Sequence, residues 1–242
     1  MKQIAKRILG EDRYKDLARR IITVHVKRSV RKMKSARQQY TAKEAVELLL
    51  FGITKEIRPW QIYSEILSLA ERQEKLRAKV VVEIGTADGG TLLLSSMLAD
   101  SEATLISIDL QDGQFGGGYP AWKRPLYESF AREKQEIHLL QGDSHQQEMY
   151  QKLHTILNGR QVDYLFIDGD HTYEGVKQDF EMYSPLVRQG GMIAFHDIAP
   201  DRSAEPTHFV DRFWNEIKGI YRSEEFIHNP SQDKCGIGVI HI

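Results

Sequence analysis

Two features are scarce in this sequence of 242 residues: cysteine and long apolar runs. Cys235 is the single cysteine, which excludes a disulfide within the chain and a zinc site built from several thiolates. We interpret it as a buried structural residue. No apolar run approaches the roughly 20 residues that span a bilayer, and the N-terminus lacks an apolar signal core with a cleavage site. We therefore expect a cytoplasmic protein.

The composition is that of a soluble globular protein, with 41% hydrophobic and 28% charged residues. The length suits a single α/β domain with an added N-terminal segment. The net charge of −1 conceals an asymmetry, because residues 1–40 hold 13 Lys and Arg against 3 Asp and Glu, a balance of +10. The remaining chain therefore carries −11, so the two parts differ strongly in charge.

Residues 1–40 are predicted to form a basic helical arm. Apolar residues recur in it at helical spacing, at Tyr14, Leu17, Ala18, Ile21 and Ile22. Such a helix suits docking on the main domain or on a second copy of the chain, peripheral contact with an anionic membrane, or contact with nucleic acid. Nucleic acid is disfavoured, because no aromatic residue is interleaved with the charges between Tyr14 and Tyr40. The membrane contact and a homo-oligomer stay open.

From residue 80 onward, segments that suit strands alternate with segments that suit helices, joined by short connections. This alternation is typical of an α/β fold with a doubly wound parallel sheet. The predicted strands are 80–84, 104–109, 136–140, 162–167, 190–196, 220–227 and 236–241. The predicted helices lie near 90–99, 121–133, 146–157, 173–187 and 206–217. Because no helix separates the last two strands, we expect an antiparallel pair at the edge of a seven-stranded sheet.

Helix-start signals recur along the chain. They comprise two capping boxes and a proline suited to a first helical position: Thr41 with Glu44, Ser144 with Gln147, and Pro206. The helix from Thr41 and a second helix from about Pro59 precede the first strand. Residues 41–78 are therefore predicted to form a helical cap, and residues 79–242 to form the core that binds a ligand.

The stretch from Val80 to Leu94 reads as a buried strand, a glycine turn and the start of a helix. Its glycines permit close approach of a ligand, and the helix directs free N–H groups toward the turn. A dinucleotide fingerprint is incomplete because Ala87 replaces its middle glycine, and no triphosphate-binding Gly-Lys-Ser/Thr motif occurs. Glu83 and Asp88 repel phosphate, so the turn suits a ligand with an ammonium or sulfonium group.

This acidic residue and glycine turn resemble the first motif of the class I methyltransferases that use S-adenosylmethionine (SAM). The resemblance extends from about Val80 to the C-terminus, and it implies the methyltransferase fold and SAM as cofactor. It assigns the ribose hydroxyls to Asp109, 24 residues after Gly85, and the adenine amino group to Asp143. The cofactor-binding residues that it implies are Glu83, Gly85, Thr86, Asp88, Gly89, Asp109, Asp143, Ser144 and Asp168.

Two apolar strands end abruptly in carboxylate and imidazole groups. The strand 162–167 is followed by Asp168, Asp170 and His171, and the strand 190–196 ends at His196 and Asp197. In open α/β sheets, ligands bind beyond the carboxyl ends of the strands. Three of these side chains are therefore predicted to converge on one divalent ion: Asp168, His196 and Asp197. Oxygen ligands suit Mg²⁺, and the imidazole also admits Mn²⁺ or Fe²⁺.

These two segments resemble the metal-dependent O-methyltransferases, and most closely the branch of macrocin O-methyltransferase and cephalosporin hydroxylase-like proteins. The catechol-type enzymes differ, with an acidic residue at the place of His196 and a lysine at the place of His171. The resemblance implies methylation of a hydroxyl on a sugar or another small molecule. His171 is the predicted base, and Asp170 is the alternative base or the group that orients His171.

Other interpretations stay open at this point. One is a metal-free methyltransferase that acts on another acceptor, and another is a cofactor-binding protein without transferase activity. Residues 111–122 contain three successive glycines and the aromatic residues Phe115, Tyr119 and Trp122. They are predicted to form either a mobile lid over the acceptor or a surface loop without a catalytic role.

Overall fold

The computed structural model describes residues 10–36, 39–52, 57–111 and 117–242. Its strands are β1 (Val80–Ile84), β2 (Thr104–Asp109), β3 (Glu136–Gln141), β4 (Val162–Ile167), β5 (Val187–His196), β6 (Arg222–Phe226) and β7 (Ile237–His241). They form one seven-stranded sheet in the order β3-β2-β1-β4-β5-β7-β6. β7 runs antiparallel to β5 and β6, and the other neighbouring strands are parallel. The predicted doubly wound sheet and its antiparallel pair are confirmed.

The helices lie N-terminal to the sheet and between its strands. They are α1 (Glu11–Ala36), α2 (Ala42–Glu47), α3 (Tyr63–Leu76), α4 (Gly90–Leu98), α5 (Arg124–Glu128), α6 (Gln147–Leu157), α7 (Tyr173–Tyr183) and α8 (Val210–Ile217). A π-helical turn, Leu48–Gly52, extends α2. Among the residues that the structure describes, no helix combines the length and apolar character needed to cross a membrane.

The sheet is apolar on both faces, because successive residues of a strand point to opposite sides. On one face Val81 belongs to a core that includes Leu49 and Ile66 from the N-terminal helices. On the other face Val82 belongs to a second core that includes Trp214 of α8. Helices therefore cover both faces, and the ends of the strands are where polar side chains can meet a ligand.

The helix-start predictions had mixed outcomes. The capping box of Thr41 and Glu44 is confirmed, whereas the one at Ser144 is wrong. Asp143 accepts the N–H of His145 in that turn, and α6 begins at Gln147 without a side-chain cap.

The helix predicted from Pro206 begins later, at Val210. The Asp201 carboxylate accepts hydrogen bonds from the N–H groups of Thr207 and His208, which holds this stretch as a loop. The helix predicted near 121–133 is also shorter and ends at Glu128. The late start of α8 thus arises where local hydrogen bonds compete with helix formation.

The basic arm appears as the long helix α1. Ile22 packs partly against the core, whereas three apolar side chains on the helix stay exposed: Leu17, Ile21 and Val24. Residues 1–9, 37 and 38 of the arm, like residues 112–116 of the predicted lid, lie outside the described residues. The division into an arm, a cap and a core at residues 40 and 78 stays a prediction, as does any partner of the arm.

Candidate active site

The carboxyl ends of four neighbouring strands lie at one level. Ile84 of β1 pairs with Ile108 of β2 and with Ile167 of β4, which in turn pairs with Phe195 of β5. In-register parallel strands bring their next residues to the same edge. Those residues are Gly85, Asp109, Asp168 and His196.

A cavity of about 700 Å³ opens over this edge. Six aspartates line it: Asp88, Asp109, Asp143, Asp168, Asp170 and Asp197. All predicted catalytic and ion-binding residues line it too, as do seven of the nine predicted cofactor-binding residues, with Glu83 and Gly89 as the exceptions. The cavity therefore gathers the strand-end residues, and its lining is strongly acidic.

Glycine is required at two positions of the turn that follows β1. Gly85 has a φ of +86°, and a Cβ atom on it would lie 2.0 Å from the carbonyl oxygen of Asp168. A Cβ atom on Gly90 would lie 2.3 Å from the backbone nitrogen of Pro59. The turn is therefore pressed against β4 on one side and against the segment before α3 on the other.

Asp109 fixes the shape of this turn. Its Oδ2 accepts hydrogen bonds from the N–H groups of Thr86 at 2.9 Å and Ala87 at 2.7 Å, and its Oδ1 accepts the N–H of Leu110 at 2.8 Å. Burial raises the pKa of Asp109 although these hydrogen bonds act in the opposite direction. The carboxylate thus has a structural role, and its contact with a ribose stays a prediction.

Glu83 lies beneath the turn and is only 2% exposed. Its Oε2 accepts a hydrogen bond from the hydroxyl of Thr86 at 2.9 Å, and that hydroxyl lies 2.6 Å from the Ser107 hydroxyl. Burial raises the pKa of Glu83 to about 8. Glu83 does not line the cavity, so the structure shows it supporting the turn through Thr86, and its role in cofactor binding stays a prediction.

Two side chains hold Asp168 at the end of β4. Its Oδ2 accepts a hydrogen bond from Nε2 of Gln61 at 3.0 Å, and its Oδ1 lies 3.0 Å from Nδ1 of His196. The ring of His196 is only 6% exposed, and its Nε2 has no hydrogen-bond partner within the described part of the chain. The cavity therefore contains a buried imidazole nitrogen that is available to a ligand.

His171 pairs with Asp197, and the distance from its Nδ1 to Oδ2 of Asp197 is 2.8 Å. Asp170 accepts the N–H of Thr172, and its role as the alternative base or as the group that orients His171 stays a prediction. His208 approaches the same pair: its Nε2 lies 3.8 Å from Oδ2 of Asp197. The rings of His171 and His208 meet edge to face at 4.6 Å.

Opposite charges control the protonation of this pair. Burial alone would raise the pKa of Asp197, but the charge of His196 and the hydrogen bond with His171 hold it well below its usual range. Burial alone would lower the pKa of His171, but its hydrogen bond with Asp197 and the charge of Asp168 raise it. Asp197 is therefore an anion that orients His171 and stabilises the protonated form that this imidazole takes once it has accepted a proton.

The side chains that could hold a metal ion fall into two overlapping groups among the described residues. In each group the ligand atoms lie within 4.8 Å of one another: His171, Asp197 and His208, or His196, Asp197 and Cys235. Asp168, which we predicted as a ligand, belongs to neither group. Cys235 is half-buried and lines the cavity, so its interpretation as a fully buried structural residue is wrong.

Several cavity residues have no counterpart among the sequence predictions: Arg58, Trp60, Gln61, His145, His208 and Lys234. They come from loops that flank the strand ends, where ligand sites concentrate. Trp60 and Lys123 both contact Asp88, at 3.2 and 2.6 Å. In the sequence, only their position in such loops points to these residues, since no motif distinguishes them.

Comparison with known proteins identifies the core of the chain. Residues 82–198 match the family model that is described as a methyltransferase domain. An uncharacterized protein of Acanthamoeba polyphaga mimivirus, R132, is 32% identical over 116 residues, which are 48% of this chain and 50% of that protein. The chain thus matches about half the length of this relative.

Solved structures share the fold over most of the chain. An O-methyltransferase from Bacillus cereus in complex with SAH has a TM-score of 0.54 at 16% identity, over 86% of this chain and 93% of that one. The O-methyltransferase TomG from Streptomyces achromogenes, involved in tomaymycin synthesis and in complex with SAM, has a TM-score of 0.51 at 13% identity, over 85% and 91%. At these identities the likeness is one of fold.

Proposed function

We propose that the protein transfers the methyl group of SAM to a hydroxyl oxygen of a sugar or another small molecule, assisted by a divalent ion. The observation that carries this proposal is the acidic cavity over the glycine turn of a methyltransferase domain. Its six aspartates suit the sulfonium and ammonium groups of SAM and disfavour the phosphates of a dinucleotide.

The cavity also suits the size of this cofactor. A volume of about 700 Å³ lies within the usual range of small-molecule sites. Gly85 and Gly90 let the turn pack closely against the end of β4 and the segment before α3, which fixes the turn at the floor of the cavity. The two solved O-methyltransferases described above, which share the fold, hold SAH and SAM, and this supports the same cofactor here.

The donors at the ends of β4 and β5 fit a divalent ion. Asp168, His196 and Asp197 would hold it, and the buried Nε2 of His196 without a hydrogen-bond partner in the described residues supports this placement. When bound, a divalent ion lowers the pKa of a hydroxyl group that it contacts. This chemistry supports the proposal that the protein belongs to the metal-dependent branch of the family.

His171 is the proposed base. Asp197 holds its Nδ1 at 2.8 Å, which leaves Nε2 as the nitrogen that takes the hydroxyl proton. The acceptor oxygen then forms a bond to the methyl carbon while the bond from carbon to sulfur breaks, and the electron pair of that bond stays on sulfur. The aspartates and the turn orient the donor so that oxygen, carbon and sulfur are aligned.

Calorimetry tests the first step of this proposal. We expect SAM and SAH to bind the full chain with micromolar dissociation constants, and NAD⁺ and ATP to show no binding under the same conditions. Methyl transfer is then measured with a panel of methyl glycosides and catechol, with Mg²⁺, Mn²⁺ or EDTA present. Binding of NAD⁺ or ATP in place of SAM would show the proposal to be wrong.

A further inference from the structure

We infer that His196, Asp197 and Cys235 bind a divalent ion of the zinc class, with the thiolate of Cys235 as a ligand. This assignment rests on the proposed function for the presence of an ion at this edge of the sheet. It changes the ligand set, because Cys235 takes the place of Asp168. It also changes the expected ion, since a thiolate and an imidazole are poor ligands for Mg²⁺.

His196 has the environment of a metal-binding histidine. Its Nδ1 lies 3.0 Å from Oδ1 of Asp168, and ligating histidines usually donate their second ring N–H to a carboxylate or carbonyl. Its Nε2 is buried without a hydrogen-bond partner among the residues described. Asp168 therefore orients the ring, and Nε2 is the atom left for the ion.

Cys235 and Asp197 are brought together by their backbones. The N–H of Cys235 donates a hydrogen bond to Oδ1 of Asp197 at 2.7 Å. The φ angles of Asp197, Lys234 and Cys235 are +59°, +57° and +57°, a region that residues other than glycine rarely adopt. These three residues lie where the end of β5 comes next to the start of β7. The ligand atoms of the group lie within 4.8 Å of one another there.

The chemistry of the three donors selects the ion. Thiolate and imidazole ligands favour Zn²⁺ and Fe²⁺ over the hard ions that prefer oxygen. Three protein ligands also leave a coordination position open, as in catalytic zinc sites. The three residues line the cavity, so an ion that they held would be accessible to a ligand in it.

Cobalt titration of the full-length reduced protein tests this assignment. Cys235 is the single cysteine of the chain, so a sulfur-to-cobalt charge-transfer band can come from no other residue. We expect Co²⁺ to produce this band and Zn²⁺, but not Mg²⁺, to remove it by competition. Cys235→Ser should abolish the band and weaken Zn²⁺ binding at least tenfold, and His196→Gln should also weaken binding. The control His208→Gln should resemble the wild type.

The rival group of His171, Asp197 and His208 contains no sulfur. Co²⁺ binding without the band, or binding lost in His208→Gln and kept in Cys235→Ser, overturns the inference in favour of that group. Failure of both Co²⁺ and Zn²⁺ to bind overturns it as well. SAM binding measured on the same samples separates the two proposals, because retained SAM binding leaves the proposed methyl transfer in place, whereas its loss removes the proposed function.

Discussion

The two halves of the cavity are built in different ways. Beside β1 and β2, the carboxylate of Asp109 is held by backbone N–H groups of the turn that follows β1. Beside β4 and β5, side chains hold one another, with Asp168 between Gln61 and His196, and Asp197 against His171. The first half depends on the path of the backbone, and the second depends on the identity of each side chain.

This difference suggests separate roles, with cofactor binding in the half beside β1 and β2 and the chemical step in the half beside β4 and β5. A backbone-built half presents much the same surface after most substitutions, provided that its glycines remain, and so it suits a constant cofactor. A half built from side chains changes its acidity and its ion preference with single substitutions. We therefore expect substitutions near β1 to affect folding and cofactor affinity, and those near β4 and β5 to affect turnover.

The largest effect is expected for His171→Ala, which should change turnover but not cofactor affinity. Loss of the proposed base should lower kcat by about 10²- to 10⁴-fold, the usual contribution of a general base. SAM affinity, measured by calorimetry, should change little because the turn after β1 is untouched. Turnover is measured with the member of the glycoside and catechol panel that reacts best.

His138→Ala is the control for this variant, because His138 lies on β3, pairs with Glu136 and does not line the cavity. It should keep wild-type turnover. Wild-type turnover in His171→Ala would remove the base assignment, and an equal loss in both variants would point to a general effect of removing a histidine.

A smaller effect, on folding and on cofactor binding together, is expected for Gly85→Ala. The added Cβ would meet the carbonyl oxygen of Asp168 at 2.0 Å, and backbone atoms cannot yield as a flexible side chain can. We expect the free energy of unfolding in urea to fall by about 3 kcal/mol or more. SAM affinity should fall more than tenfold, because the turn has to shift.

Gly159→Ala provides the matched control. Gly159 also has a positive φ, +80°, but a Cβ atom on it would meet nothing within 4 Å. It should lose only the roughly 1 kcal/mol that this backbone conformation costs, with SAM affinity unchanged. Equal losses in the two variants would show that the contact with β4 does not matter.

The backbone-built half could be predicted from the sequence because its signals are local. The strand from Val80, the glycines of the turn and Asp109 lie within about 30 residues, and the alternation of strands and helices fixes which strand ends meet. Asp168 and His196 could be placed at that edge for the same reason. This is also why the doubly wound sheet and its antiparallel pair were predicted correctly.

The other half could not be predicted in full, because its partners are distant in sequence. Gln61, His208 and Cys235 reach the cavity from three separate loops, and no spacing rule relates them to Asp168 or Asp197. Loop paths depend on local hydrogen bonds, such as those that Asp201 accepts from Thr207 and His208, and these compete with the helix that a nearby proline suggests.

The last contrast concerns the pH dependence of stability at Glu83, which belongs to the backbone-built half but carries a titratable carboxyl group. Burial raises its pKa from 4.5 to about 8. Between these pH values Glu83 therefore keeps its proton in the folded protein, whereas it has lost that proton in the unfolded chain. Stability of the wild type should therefore fall as pH rises from about 4.5 to 8, by at most about 1.4 kcal/mol per pH unit from this group.

Glu83→Gln stays neutral, so its stability relative to the wild type should increase with pH across that window and level off above it. Urea unfolding at pH 5, 7 and 9 measures this difference. Glu102→Gln, which removes an exposed carboxylate paired with Lys134, should keep the pH dependence of the wild type. Parallel curves for Glu83→Gln and the wild type would mean that Glu83 is already charged in the folded protein. The turn would then carry a full negative charge beneath the ligand.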